Sequence, residues 1–134
     1  MYIHETKIRV RYAETDQMGY VYYGNYATYF EVARVDCMKS LGVNYKELEN
    51  MGVMMPVIHY NTQYYKPALY DDELTIKTVI KDLPSARIHF AFEVFNQEAI
   101  KLNDAEVTLV FVNMETKKPC CVPDNLIRQL KKYF

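Results

Sequence analysis

Residues 2–12 alternate Tyr2, His4, Thr6, Ile8, Val10 and Tyr12 against Ile3, Glu5, Lys7, Arg9 and Arg11, so charge collects on one side. A period of two predicts a half-exposed strand. From Asn25 the spacing lengthens: Tyr26, Tyr29 with Phe30, Ala33, Cys37 and Leu41 return every three or four residues, while Arg34, Lys39 and Ser40 fall largely elsewhere. This predicts a helix over 25–41, with Asn25 as candidate N-cap and Gly42 as its stop; Tyr22 or Tyr23 is the alternative start. A second, short helix fits 45–51 and ends at Gly52. The two-residue period then returns, predicting strands over 54–65, 73–81, 87–95 and 105–114, all rich in β-branched and aromatic residues. Turn-forming runs separate them at 67–72, 83–85 and 96–98. Ile88, Phe90, Phe92 and Val94 share one face. Val107 to Val112 is apolar on both faces except at Thr108, which predicts a central strand covered on each side. Leu74, Ile76 and Ile80 beside Lys77 and Lys81 predict a more exposed neighbour. The last predicted element is a helix over 124–133 with Leu126, Ile127 and Leu130 inward and Asp124 as its cap.

One long apolar-faced helix among about five antiparallel strands is best buried by a curved sheet wrapped around it, an α+β outcome. With 134 residues the chain is long enough for one hydrophobic core and too short for two, so a single domain over 1–134 is expected. A formal net charge of −1, with scattered lysines and arginines, gives no support for nucleic-acid binding, which asks for a basic excess. Cys37, Cys120 and Cys121 are odd in number and two are adjacent, so no disulfide framework or CxxC metal pattern is present. His4, His59 and His89 fall on separate predicted strands with no ligand spacing, and no metal site is expected. The opening residues carry neither the apolar core of a signal peptide nor a membrane-length apolar run, so no membrane association is expected and the cytoplasm is the expected compartment. Gly19 and Gly24 lack the spacing of a phosphate-binding glycine loop, which disfavours nucleotide and nicotinamide chemistry and any cofactor.

The chemistry gathers in Arg11-Tyr-Ala-Glu-Thr-Asp16-Gln-Met-Gly19-Tyr-Val-Tyr22-Tyr23-Gly24-Asn25-Tyr26, directly before the long helix. A carboxylate on a short polar connection can face substrate while the helix's first free N–H groups point at the same space, an arrangement suited to attack on a carbonyl. Asp16 beside Thr15 can equally cap a local turn. Tyr20, Tyr22, Tyr23, Tyr26 and Tyr29, of thirteen tyrosines in all, crowd the same region, where they suit an acyl pocket or a subunit interface. Glu31 and Arg34, three apart on the helix, can form a weak ion pair, with Glu31 as the minor alternative carboxylate.

The run Tyr12-x-x-Thr15-Asp16-x-Met18-Gly19-x-Val21-x-x-x-Asn25-Tyr26, followed by Tyr29-Phe30-Glu31-x-Ala33-Arg34, resembles the 4-hydroxybenzoyl-CoA thioesterase family of hotdog-fold proteins. Tyr64-x-x-Pro67-Ala68-x-x-x-Asp72-x-Leu74 is similar to that family's second segment, and the order of predicted elements matches across essentially the whole chain. The resemblance implies a hotdog fold and hydrolysis of an acyl-CoA thioester, with Asp16 as nucleophile or as base for a water. The backbone N–H of Tyr23 then polarises the carbonyl. Relatives often carry histidine at the position of Tyr23, so an imidazole role is out of reach while the backbone role is intact. The resemblance also implies a pocket built by Tyr22, Gly24, Asn25 and Tyr26, and a homo-oligomer, dimer or tetramer, with sites at subunit boundaries.

The phosphates of coenzyme A call for cations, and Lys66 and Arg87 are the candidates; both also fit solvated strand ends. Rival readings within the fold are an acyl-carrier-protein thioesterase, a dehydratase, or a non-catalytic acyl-binding module. A dehydratase would want histidine near the acid, and none lies in the Asp16 run or on the long helix.

Overall fold

The structure is a computed structural model that describes residues 1–134. Its elements run β1 (Tyr2–Arg9), a 3-10 turn (Tyr12–Glu14), α1 (Asn25–Ser40), α2 (Tyr45–Asn50), β2 (Val53–Met54) and β3 (Val57–Tyr64), then β4 (Glu73–Ile80), β5 (Arg87–Phe95), β6 (Lys101–Val110), β7 (Val112–Asn113) and α3 (Asp124–Leu130). Five strands form one antiparallel sheet in the order β1-β4-β5-β6-β3. This is the hotdog arrangement, with α1 on the sheet's inner face. Inward residues alternate as the pleat requires: Leu74, Ile76 and Ile80 on β4, Ile88, Phe90, Phe92 and Val94 on β5, and Ala105, Val107 and Leu109 on β6 are buried. Tyr26, Tyr29, Phe30, Ala33, Cys37 and Met38 of α1 meet them, and Phe30 stacks on Phe92 with ring centroids 4.7 Å apart. Burying each such ring contributes on the order of 2 kcal/mol. The outer face of the same strands is polar, with Lys77, Glu93, Lys101 and Asp104 in an ion-pair network.

Several sequence expectations are corrected. β1 stops at Arg9; Val10 leaves the ladder to donate its N–H to the Asp72 carbonyl, and Tyr12 is 77% exposed on the 3-10 turn. The segment around Val107 is an interior strand, with β6 paired to β5 on one side and β3 on the other, but only its inner face is fully covered: Glu106 is exposed and Thr108 and Val110 are half-buried on the other face. That segment also starts earlier than predicted and breaks at Phe111, whose N–H turns to the Ala86 carbonyl; β7 then pairs with β2 in a separate two-stranded ladder. β4 carries the expected buried face at Leu74, Ile76 and Ile80 but is no more exposed than β6, since Thr78 and Val79 are buried as well. α1 is capped by Gly24, not Asn25, and α3 by Pro123, not Asp124; neither predicted side chain bonds the first turn of its helix. Ile127 is only half-buried beside Leu126 and Leu130.

Candidate active site at the start of the long helix

The connection from β1 to α1 is a tight, self-bonded loop. Asp16 N–H donates to the Tyr20 carbonyl at 2.8 Å, Gly19 N–H to the Asp16 carbonyl at 3.0 Å, and Thr15 bridges Val21. Gly19 sits at φ +80°, a left-handed conformation that costs a side-chain-bearing residue about 1–2 kcal/mol. The loop is pinned to the β3–β4 connection by Val21 N–H on the Ala68 carbonyl at 2.9 Å.

Only one of the two Asp16 carboxylate oxygens is engaged by its own turn. Oδ1 accepts the amides of Met18 at 2.9 Å and Tyr20 at 3.2 Å and so caps its own turn. Oδ2 takes no hydrogen bond from the protein, and the half-buried side chain lines a cavity of about 330 Å³. Tyr20, Tyr23, Tyr26, Tyr64 and Tyr65, with Met18, Val21 and Pro67, make the remaining walls largely apolar, and Lys66 stands among them.

Tyr23 lines the same cavity from the start of α1. Tyr22 N–H is held by the Glu14 carbonyl at 2.9 Å and Asn25 N–H by the Tyr22 carbonyl at 2.9 Å, whereas the amides of Tyr23 and Gly24 find no acceptor in the protein. They are free donors at the entrance of the helix, at its N-cap and the residue before it. A Cβ at Gly24 would stand 2.7 Å from Cε2 of the exposed Tyr22 ring, which would have to swing aside. Tyr22 and Gly24 therefore shape the backbone at the entrance of the helix but are not cavity walls. Asn25 fixes the loop instead, donating from Nδ2 to the Glu14 carbonyl at 2.8 Å.

Tyr26 is buried, and burial pushes its hydroxyl up to about 12, which keeps it neutral at ordinary pH. Beside it lies the fully buried carboxamide of Asn103, whose oxygen and nitrogen both lack a partner in hydrogen-bond geometry. Asn103 pairs with Tyr64 across β6 and β3, at the cavity end of the sheet.

Arg87 is not gathered here. It pairs with Val110, seven residues along β6 from Asn103, which places it about 23 Å away at ~3.3 Å per residue. The Glu31–Arg34 pair is also absent: Arg34 turns inward, donates from Nε to the Tyr45 hydroxyl at 2.6 Å and lies over that ring, leaving Glu31 exposed. The histidines serve elsewhere. His4 contacts Asp36 of α1 at 2.9 Å, His89 contacts Thr108 at 2.8 Å, and His59 is exposed on β3. Cys37 is a core residue whose thiol is pushed up to about 12 by burial.

Residues 10–130 match the thioesterase-like superfamily. The chain belongs to that superfamily. Acyl-CoA thioester hydrolase YbgC of Escherichia coli is 31% identical over 125 residues, 93% of this chain and 93% of the relative. YneP of Bacillus subtilis is 35% identical over 119 residues, 89% of this chain and 86% of the relative. Among solved structures, the DHNA-CoA thioesterase from Staphylococcus aureus superposes with a TM-score of 0.86 at 35% identity, covering 100% of this chain and 85% of that one. The superfamily's hotdog fold is thus matched over nearly the whole chain. No helix is long and apolar enough to cross a membrane.

Proposed function

We propose that this protein is an acyl-CoA thioesterase of the 4-hydroxybenzoyl-CoA thioesterase type, with Asp16 as its catalytic carboxylate. The observation that carries the reading is an apolar cavity lined both by Asp16, whose Oδ2 takes no hydrogen bond from the protein, and by Tyr23, whose amide has no acceptor. The thioester carbonyl oxygen takes the Tyr23 N–H, and charge developing on that oxygen is stabilised by a fixed donor at a helix N-terminus. Oδ2 then either bonds to the carbonyl carbon directly, giving an anhydride that water opens, or takes a proton from the water that attacks. In both routes the C–S bond breaks and the CoA thiolate leaves, later taking a proton. A thiolate is a good leaving group, so no histidine or cysteine is required.

Tyr20, Tyr26, Tyr64 and Tyr65 hold the acyl group in this reading, and Lys66 faces the phosphate-bearing part of coenzyme A. The protein works as a homo-oligomer. Support comes from β3, an edge strand with Val57 50%, Ile58 48%, Tyr60 41% and Tyr64 50% exposed, an unpaired edge carrying large side chains that pairing with a second copy would cover. Three free cysteines fit a reducing cytoplasm. A dehydratase is the weaker alternative, because no histidine lines the cavity.

Thiol release measured over short, long, branched and aromatic acyl-CoAs tests the reading and identifies the acyl class. Turnover is expected with at least one of them, falling about 100-fold or more in Asp16→Asn and Asp16→Ala with the oligomer intact. Unchanged turnover in both variants would remove Asp16 from the mechanism. Release from acyl-carrier-protein thioesters alone would move the substrate to the carrier-protein class.

A further inference from the structure

Two residues before Asp16, the side chain of Glu14 is almost enclosed, with 13% of it exposed, and every polar atom it offers is in use. Oε1 accepts the Tyr29 hydroxyl at 2.9 Å and the Arg11 amide at 2.8 Å, and Oε2 accepts the Arg11 guanidinium at 3.0 Å. Its backbone carbonyl accepts Tyr22 N–H at 2.9 Å and the Asn25 carboxamide at 2.8 Å. One residue therefore touches both sides of the site. Through its main chain it holds the segment that ends in the Tyr23 amide, and through its carboxylate it grips Tyr29, on the second turn of α1 and 2% exposed in the core. The segment bearing Asp16 leaves directly from Glu14.

We propose that Glu14 is a positioning residue, which with Tyr29 braces the Asp16 loop against α1 and so sets the placement of the Asp16 carboxylate relative to the Tyr23 amide. This rests on the thioesterase reading for its catalytic consequence, and on geometry alone for its structural one. An exposed Glu14–Arg11 pair would contribute little. The partly buried Tyr29 bond is the part that matters, since it spans fifteen residues and ties the connection to the helix. A reacting group misplaced by about 1 Å can lose ~100-fold in rate, so a brace that does not touch substrate still governs turnover. Burial disfavours the Glu14 carboxylate, yet its hydrogen bonds from Arg11 and Tyr29 outweigh this and hold it below the usual carboxylate range, so the brace is formed at neutral pH.

Three variants of the full chain test this: Tyr29→Phe, which keeps the core ring; Glu14→Gln, which keeps an acceptor for Tyr29; and Glu14→Ala, which keeps none. Amide hydrogen exchange is the first readout. The amides of Met18, Tyr20 and Tyr22 are expected to exchange at least about tenfold faster in Tyr29→Phe and Glu14→Ala, with β5 unchanged and Glu14→Gln close to wild type. Steady-state kinetics is the second: kcat falls at least about tenfold in Glu14→Ala, KM for acyl-CoA stays within about twofold, and Glu14→Gln recovers most of the loss. Unchanged exchange in residues 18–22, exchange that rises uniformly across the sheet, or faster loop exchange with unchanged kcat would each overturn the proposal. If the wild-type protein releases no thiol from any acyl-CoA, the thioesterase reading fails, and the exchange pattern still decides whether Glu14 braces the loop.

Discussion

In the proposed mechanism Asp16 has two jobs, one for each oxygen, and substitution can separate them. Asparagine keeps an oxygen at Oδ1 for the Met18 and Tyr20 amides but loses the charge at Oδ2; alanine loses both. Asp16→Asn is therefore expected to melt close to wild type and Asp16→Ala to lose about 1 kcal/mol, with both equally depressed in turnover. Thermal unfolding beside the thiol-release assay checks this, and equal stability in both variants would mean that Oδ1 is not capping the turn. The Asp16 run was legible in the sequence as a candidate site, because a carboxylate in a Thr-Asp-x-Met-Gly run directly before an apolar helix can line a pocket as well as cap its turn. Glu14 was not: its partners are Arg11 nearby and Tyr29 fifteen residues on, and nothing in hydrophobic periodicity marks a carboxylate that will be enclosed. Asn103 was equally silent, since its burial follows from the register that sets it opposite Tyr64.

At the scale of elements, periodicity located the strands and the long helix but not their ends, which are decided by partners distant in sequence. The break at Phe111 is the clearest case: a run of apolar residues reads as one strand, while the Ala86 carbonyl and the β2 ladder claim its two halves separately. The docking of β1 on α1 is another contact invisible to pattern. Asp36, one turn beyond Val32 on the helix, accepts Thr6 Oγ1 at 2.7 Å and meets His4 at 2.9 Å. The Thr6 hydrogen bond is the main cause holding the Asp36 carboxyl below its usual value, burial opposes it, and the His4 contact assists. A carboxyl with a depressed folded value adds stability above its ordinary pKa, near 4, and loses that stability as pH falls through the folded value. Asp36→Asn should thus lower the Tm at pH 7 and converge on wild type once the pH drops well below 4. A gap in Tm that stays constant from pH 7 to pH 3 would show that the ionised form contributes nothing to the docking.

At the scale of the whole molecule, one chain leaves two things unfinished: the exposed edge of β3, and the separation of Arg87 from a cavity that already holds Lys66. A second copy paired along β3 would cover the first and bring the Arg87 end of its own sheet alongside this cavity, because antiparallel strands related by a two-fold axis bring opposite ends of the two sheets together. Tyr64, half exposed on that edge, is also a cavity wall, so pairing there would enclose the acyl group. Val57→Lys together with Ile58→Lys places like charges along the edge and is expected to shift the protein toward monomer, read by sedimentation, with thiol release falling at least about tenfold. Arg87→Ala in the assembled protein should raise KM for acyl-CoA several-fold and leave kcat nearly unchanged, as loss of a phosphate contact does. The decisive comparison combines them. If Arg87 reaches the partner's substrate, Arg87→Ala adds nothing further to KM once the edge variant has made the protein monomeric, whereas an equal further increase in the monomer would mean that Arg87 acts within its own chain or on the fold.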